Sequence, residues 1–138
     1  MLKKLIYITD NDMRRLKKLI MVAREFGKEG EKYLMDLEGE LERGKVVKPQ
    51  DIPNNIITMH SKIRLRNIDT QEEMIYQLVF PDNANVNQGK ISILAPIGTA
   101  LLGYKAGDII KWKVPAGLTK LKVEDILYQP EAVGDYHL

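Results

Sequence analysis

Hydrophobic positions recur in two rhythms along this chain, and the change between them divides it. From Thr9 to about residue 44 the rhythm is helical. Met13, Leu16, Leu19, Ile20, Ala23 and Phe26 follow at steps of three and four, which gathers them on one face of a helix. Thr9 with Asp12 three residues later is close to a capping box, and the acid falls in the first turn, where the helix dipole favours negative charge. Gly27 and Gly30 punctuate the run; Tyr33, Leu34, Leu37 and Leu41 then make a second stripe that Gly44 closes. Two stripes joined by so few residues should pack antiparallel as a hairpin. Arms of roughly 17 and 15 residues would reach about 25 and 22 Å. That is a short finger.

From Val46 to Pro53 the prolines at 49 and 53 exclude helix. This connector sets the expected boundary between a hairpin unit, residues 1–48, and a second unit, residues 49–138. After Asn55 the period becomes two. Lys62–Arg66 alternates cleanly; Met74–Phe80, Lys90–Leu94, Asp108–Val114 and Leu118–Tyr128 are further strand candidates. Between Pro96 and Gly103, Ile97, Ala100, Leu101 and Leu102 suit a short helix opened by proline and closed by glycine. The fold class is therefore α+β, a helical hairpin followed by an antiparallel sheet with one helix on one face.

Such a sheet keeps its other face wet. Ile63, Leu65, Ile91, Ile93, Ile110, Trp112, Val114, Leu121 and Val123 should point inward. Lys62, Arg64, Arg66, Lys111, Lys113, Lys120 and Lys122 then line the outer face as a basic stripe. Acids gather instead in the hairpin, at Glu25, Glu29, Glu31, Asp36, Glu38, Glu40 and Glu42. The molecule reads as bipolar, suited to two differently charged surfaces of a large partner.

Composition narrows the chemistry. The chain has 138 residues, 44% hydrophobic and 29% charged, with 21 Lys and Arg against 19 Asp and Glu. This excludes wholesale disorder, and the balance is too even for nucleic-acid coating. Cysteine is absent, which removes disulfides, thiolate metal sites and cysteine nucleophiles together. His60 and His137 are too far apart in sequence for a helical metal pair. His60 reads as a polar strand-edge residue. The glycine-containing stretch from Gly98 to Gly103 lacks the Lys-Ser/Thr of a phosphate-binding loop. No apolar run approaches the roughly 20 residues of a membrane span. The expectation is a cytoplasmic, monomeric protein with no cofactor and no membrane contact. Arg14, Arg15, Lys17 and Lys18 on the first helix leave room for indirect contact with nucleic acid.

The segment Ile91-Ser92-Ile93-Leu94-Ala95-Pro96-Ile97-Gly98-Thr99-Ala100-Leu101-Leu102-Gly103, followed by Gly107-Asp108 and Pro115-Ala116-Gly117, resembles the C-terminal domain of the bacterial Gre transcript-cleavage factors. The ending Tyr128-Gln129-Pro130-Glu131-Ala132-Val133-Gly134-Asp135-Tyr136 is similar to the Rnk branch of that family. The resemblance covers roughly residues 50–138, and the first 45 match only in kind. It implies an FKBP-like C-terminal fold, a coiled-coil hairpin, and docking on the rim of the RNA polymerase secondary channel. Leu94, Pro96, Ile97, Ala100 and Leu101 would form the docking contact, with the basic stripe assisting.

Two departures from the family shape the expected function. Gre factors carry an Asp-x-x-Glu pair at the tip of a long hairpin, where the acids help hold the polymerase's second catalytic metal. Here the tip region holds Glu25, Lys28, Glu29 and Glu31, with the last two acids two apart on a shorter arm. An inner-sphere carboxylate must approach a metal to about 2 Å, and a shorter arm does not deliver one. Before the family's Ser-Pro pair stands an acid; this chain has Leu94-Ala95-Pro96. The reading is a non-enzymatic regulator that competes with Gre-like factors without stimulating cleavage. The alternative is a cleavage factor with Glu29 and Glu31 as its metal-holding acids.

Overall fold

The first helical stripe does not begin the secondary structure. In the computed structural model, which describes residues 6–26, 31–114 and 117–135, a strand precedes it: β1, Ile6–Thr9. β1 pairs in parallel with β2, Gly44–Val47, on the far side of the helices. The sequence reading has neither strand, because each is four residues long and its partner lies beyond two helices. Ile6, Ile8 and Thr9 of β1 are buried.

Helix α1, Asp10–Phe26, begins directly after β1, and the Thr9 hydroxyl oxygen accepts the Asp12 amide at 3.1 Å. This satisfies one of the donors that a helix start leaves open. Helix α2, Glu31–Glu42, returns alongside, three residues shorter than the 15 expected. Met13, Leu16 and Ile20 of α1 and Leu34, Leu37 and Leu41 of α2 are buried, which is the striped pattern made physical. Arg24 of α1 pairs with Glu38 of α2 across the outside of the hairpin.

A five-stranded sheet follows: β3 Lys62–Asn67, β4 Glu73–Val79, β5 Lys90–Ser92, β6 Ile109–Val114 and β7 Gly117–Tyr128, in the order β5-β4-β3-β7-β6. Three pairings are antiparallel, but β4 and β5 run parallel. The expected all-antiparallel sheet is thus corrected to a mixed one. Parallel neighbours need a connection long enough to carry the chain back. Two 3-10 turns, Pro81–Asn83 and Val86–Gln88, supply it. The β3–β4 turn is held by Asn67, whose Oδ1 accepts the amides of Asp69 at 2.9 Å and Thr70 at 3.1 Å. Ile63, Leu65, Ile110, Leu121 and Val123 do face inward and are buried; Ile91 is only half-buried. Trp112 and Val114 lie on β6, but their side chains are outside the described ones.

Helix α3, Pro96–Leu101, starts at its proline and packs on α2. Hairpin, sheet and α3 share one apolar core, in which Ile6, Ile8, Leu16, Leu37 and Leu41 join Ile57, Met59, Ile63, Leu101 and Leu102. Gly103 ends the α3 segment at φ 82°, and a Cβ there would fall 2.5 Å from Cβ of Ile6. Only glycine permits both the left-handed backbone and the approach of β1. Gly103→Ala should therefore destabilise the protein by roughly 2–3 kcal/mol, read as a melting temperature lowered by several degrees.

Candidate functional site

The turn from β5 into α3 is rigid by construction. The Leu94 amide donates to Ser92 Oγ at 3.0 Å, and the Ala95 amide donates to the Ser92 carbonyl at 3.0 Å. Thr99, itself buried, donates its hydroxyl to the Ile93 carbonyl at 2.6 Å. A Cβ on Gly98 would fall 2.2 Å from the Ser92 carbonyl oxygen, so the strand end and the helix touch backbone to backbone. This frame sets Leu94, Ile97 and Ala100 half-buried at the surface. Their apolar sides face the core and their outer edges face solvent.

Leu101 is a correction. It is 1% exposed and belongs to the core, so it cannot meet a partner. Residues four apart share a helix face, and along the face that Ile97 and Leu101 share, α3 passes from half-buried at Ile97 to wholly buried at Leu101. The side chain of Pro96 lies outside the described ones.

The outer sheet face is basic but interrupted. Lys62, Lys111 and Lys120 are exposed, and Arg64, Arg66 and Lys122 are half-exposed; the Lys113 side chain lies outside the described ones. Lys122 stands opposite Arg66, and Lys111 directly opposite Lys120. Like charges in such cross-strand positions are mildly destabilising. Arg66 is not simply a stripe cation, however. Its Nε donates to Glu124 at 2.7 Å and its guanidinium also pairs with Glu73. A register shift between Arg64 and Leu65 leaves Glu124 without a direct cross-strand partner on β3, and alternation along β7 puts it on the face of Lys120 and Lys122. Lys111, Lys120 and Lys122 lie on this face beside exposed Ile109 and Leu118.

Of the expected tip residues, Glu25 is exposed near the end of α1. Lys28 and Glu29 lie outside the described residues, as does the side chain of Glu31. Among the described residues no group of three or more His, Asp or Glu could hold a metal ion, and no helix is long and apolar enough to cross a membrane.

Two groups escaped sequence reasoning. The sequence marks Asp12 only as a capping acid, yet it is 1% exposed, and its Oδ2 accepts the Met59 amide at 3.1 Å while Oδ1 has no partner among the described residues. Burial foremost, with the charge of Glu131, pushes its pKa up to about 7 against the opposing pull of the Met59 amide and Arg15. His60 adopts φ 69°, a conformation uncommon outside glycine and asparagine. Its ring lies 5.6 Å from that of Phe80, and burial foremost, then Arg15, lowers its pKa. Neither feature carries a local sequence signal, since each arises where α1 meets the segment before β3.

A finger of two helices, a mixed sheet and a locked apolar turn make up the architecture. Residues 52–128 match the family model "Transcription elongation factor, GreA/GreB, C-term", and residues 4–47 match "Rnk N-terminus". The chain belongs to the GreA/GreB family, with an Rnk-type N-terminal part, and is a transcription elongation factor-like protein. It is 40% identical over 103 residues to the regulator of nucleoside diphosphate kinase of Escherichia coli K12, covering 74% of this chain and 76% of that one. It is 35% identical over 95 residues to GreA of Syntrophotalea carbinolica, covering 69% of this chain and 60% of GreA. Among solved structures, a GreA/GreB factor from Nitrosomonas europaea superposes with a TM-score of 0.75 at 38% identity, over 89% of this chain and 99% of that one.

The locked turn is testable by itself. Thr99→Val keeps the shape but leaves the buried Ile93 carbonyl without its hydroxyl donor. The expected loss is about 1–2 kcal/mol, with faster amide hydrogen exchange across α3.

Proposed function

We propose that this protein regulates transcription by binding RNA polymerase at the rim of the secondary channel. The contact is made by the β5–α3 turn, with Leu94, Pro96, Ile97 and Ala100 at its centre. Lys111, Lys120 and Lys122 steer the approach, since rim charges act on encounter more than on final affinity. The chain is read as two units meeting near residue 48, a short coiled-coil finger and an FKBP-like globular half, working as a cytoplasmic monomer. The finger occupies the channel mouth and excludes longer factors. Competition needs only overlapping sites and comparable affinity.

The observation that carries this reading is the turn fixed by Gly98 and Thr99. In a member of the GreA/GreB family, it sets apolar side chains at the surface in the segment that carries the family resemblance. The finger supports the blocking role. An α1 of 17 residues and an α2 of 12 span only about 25 and 18 Å. The rival, a cleavage factor acting through Glu29 and Glu31, needs those acids to reach a metal some way inside the enzyme.

Pro96→Asp should reduce co-purification with core RNA polymerase about tenfold or more at moderate salt, equivalent to roughly 1.4 kcal/mol, with an unchanged circular dichroism spectrum. Unchanged binding would reject the docking assignment. In a backtracked elongation complex the protein should leave RNA cleavage at its basal rate and slow the cleavage stimulated by a Gre factor. Stimulation by the protein itself, lost in Glu29→Ala or Glu31→Ala, would establish the rival reading.

A further inference from the structure

The base of the finger is rooted in the sheet domain through a polar contact as well as an apolar one. Asp12, on the first turn of α1, reaches across to accept the Met59 amide at 3.1 Å. Beside it Glu131, on the C-terminal 3-10 turn Pro130–Val133, is 8% exposed and accepts the Thr58 hydroxyl at 2.8 Å. Two carboxyl groups from opposite ends of the chain thus share one seam. Among the described residues Oδ1 of Asp12 is buried with no hydrogen-bond partner, an arrangement that is costly for a carboxylate and less so for a neutral acid.

We propose that Asp12, bonded to Met59 while Glu131 is bonded to the adjacent Thr58, is a proton-operated latch that fixes how firmly the helical finger is seated on the sheet domain. Protonated, Asp12 removes one of two neighbouring negative charges, and the finger stays seated. Ionised, it is repelled by Glu131 and drawn towards water, and the seat loosens. The other charged groups that bear on it are few. Arg15, one turn along α1, favours the ionised form. His60, next to Met59, is a second titratable group, its pKa lowered by burial and by Arg15, and the His60→Gln variant below separates its contribution from that of Asp12. The inference does not depend on what the finger docks into.

The direction follows from the raised pKa. The seated form holds its proton up to about 7, whereas a solvated aspartate loses it near 4. Seating is therefore favoured at low pH, weakens as pH rises from about 4 to about 7, and levels off above. This is opposite to the behaviour of a salt-bridged carboxylate. A one-proton event changes the ratio of unseated to seated forms by up to about tenfold per pH unit within that window.

The chain has no cysteine, so spin labels can be placed at will. Met35→Cys on α2 and Leu118→Cys on β7 replace residues that are 62% and 56% exposed. Electron–electron distance measurements on the doubly labelled full chain should give a narrow distribution at pH 5.5 and a broader one at pH 8. Asp12→Asn should give the narrow distribution at both pH values, Glu131→Gln should reduce the change, and His60→Gln should leave it as it is. A wild-type distribution that does not respond to pH would overturn the latch, as would a response that survives in both Asp12→Asn and Glu131→Gln. Should Asp12→Asn fail to fold, Glu131→Gln alone decides.

Discussion

Burial of the hairpin base in the sheet domain's core is the constraint on which the rest of the structure depends. Ile6 and Ile8 of β1, Leu16 of α1 and Leu37 and Leu41 of α2 sit in one cluster with Ile57, Met59, Leu101 and Leu102. Each fully buried aliphatic side chain of this kind contributes roughly 1.5–3 kcal/mol. A partly exposed ion pair such as Arg24 with Glu38 contributes about 1 kcal/mol or less. The apolar seam therefore decides where the finger points, and surface charge only trims it. The parallel β1–β2 pair reinforces this arrangement by closing the two ends of the hairpin against each other.

The seam explains why several otherwise ordinary residues are so confined. Gly103 lies against Ile6, and Gly44 lies against Ile8, whose Cδ1 would be 2.6 Å from an added Cβ. Both glycines let a backbone approach a β1 isoleucine more closely than any side chain would permit. Asp12 pays for the same proximity. With its pKa raised to about 7, chiefly by burial, its ionised form is costly in this seat. The surrounding apolar contacts keep the domain folded in spite of that cost, so its effect is confined to how firmly the hairpin base is seated.

Much of this was legible in the chain, and the limits were physical. The helical stripes of Met13, Leu16 and Ile20 and of Leu34, Leu37 and Leu41 marked α1 and α2 because a 3.6-residue period is local. Alternation placed Ile63, Leu65, Leu121 and Val123 inward for the same reason. Partners distant in sequence were not legible. β1 finds β2 only after two helices intervene, β5 joins β4 in parallel after two 3-10 turns, and the shift at Arg64 and Leu65 accompanies the Glu124–Arg66 pair. The α3 segment was similarly half legible. The Pro96 to Gly103 punctuation marked α3, yet nothing local separates Leu101, wholly buried, from the half-buried Ile97 and Ala100.

The same seam links the two ends of the molecule mechanically. α3 packs on α2, and Leu101 and Leu102 of the α3 segment touch the cluster that holds the hairpin base. A finger and a β5–α3 turn that share core side chains cannot reorient independently, because packed interiors shift between discrete arrangements rather than deform smoothly. The angle between the finger and the β5–α3 turn is thus a property of core packing, set within the protein before any partner is met. Preorganisation of this kind lowers the ordering cost of binding. It also means that a change at the hinge, even one proton at Asp12, acts on both ends at once.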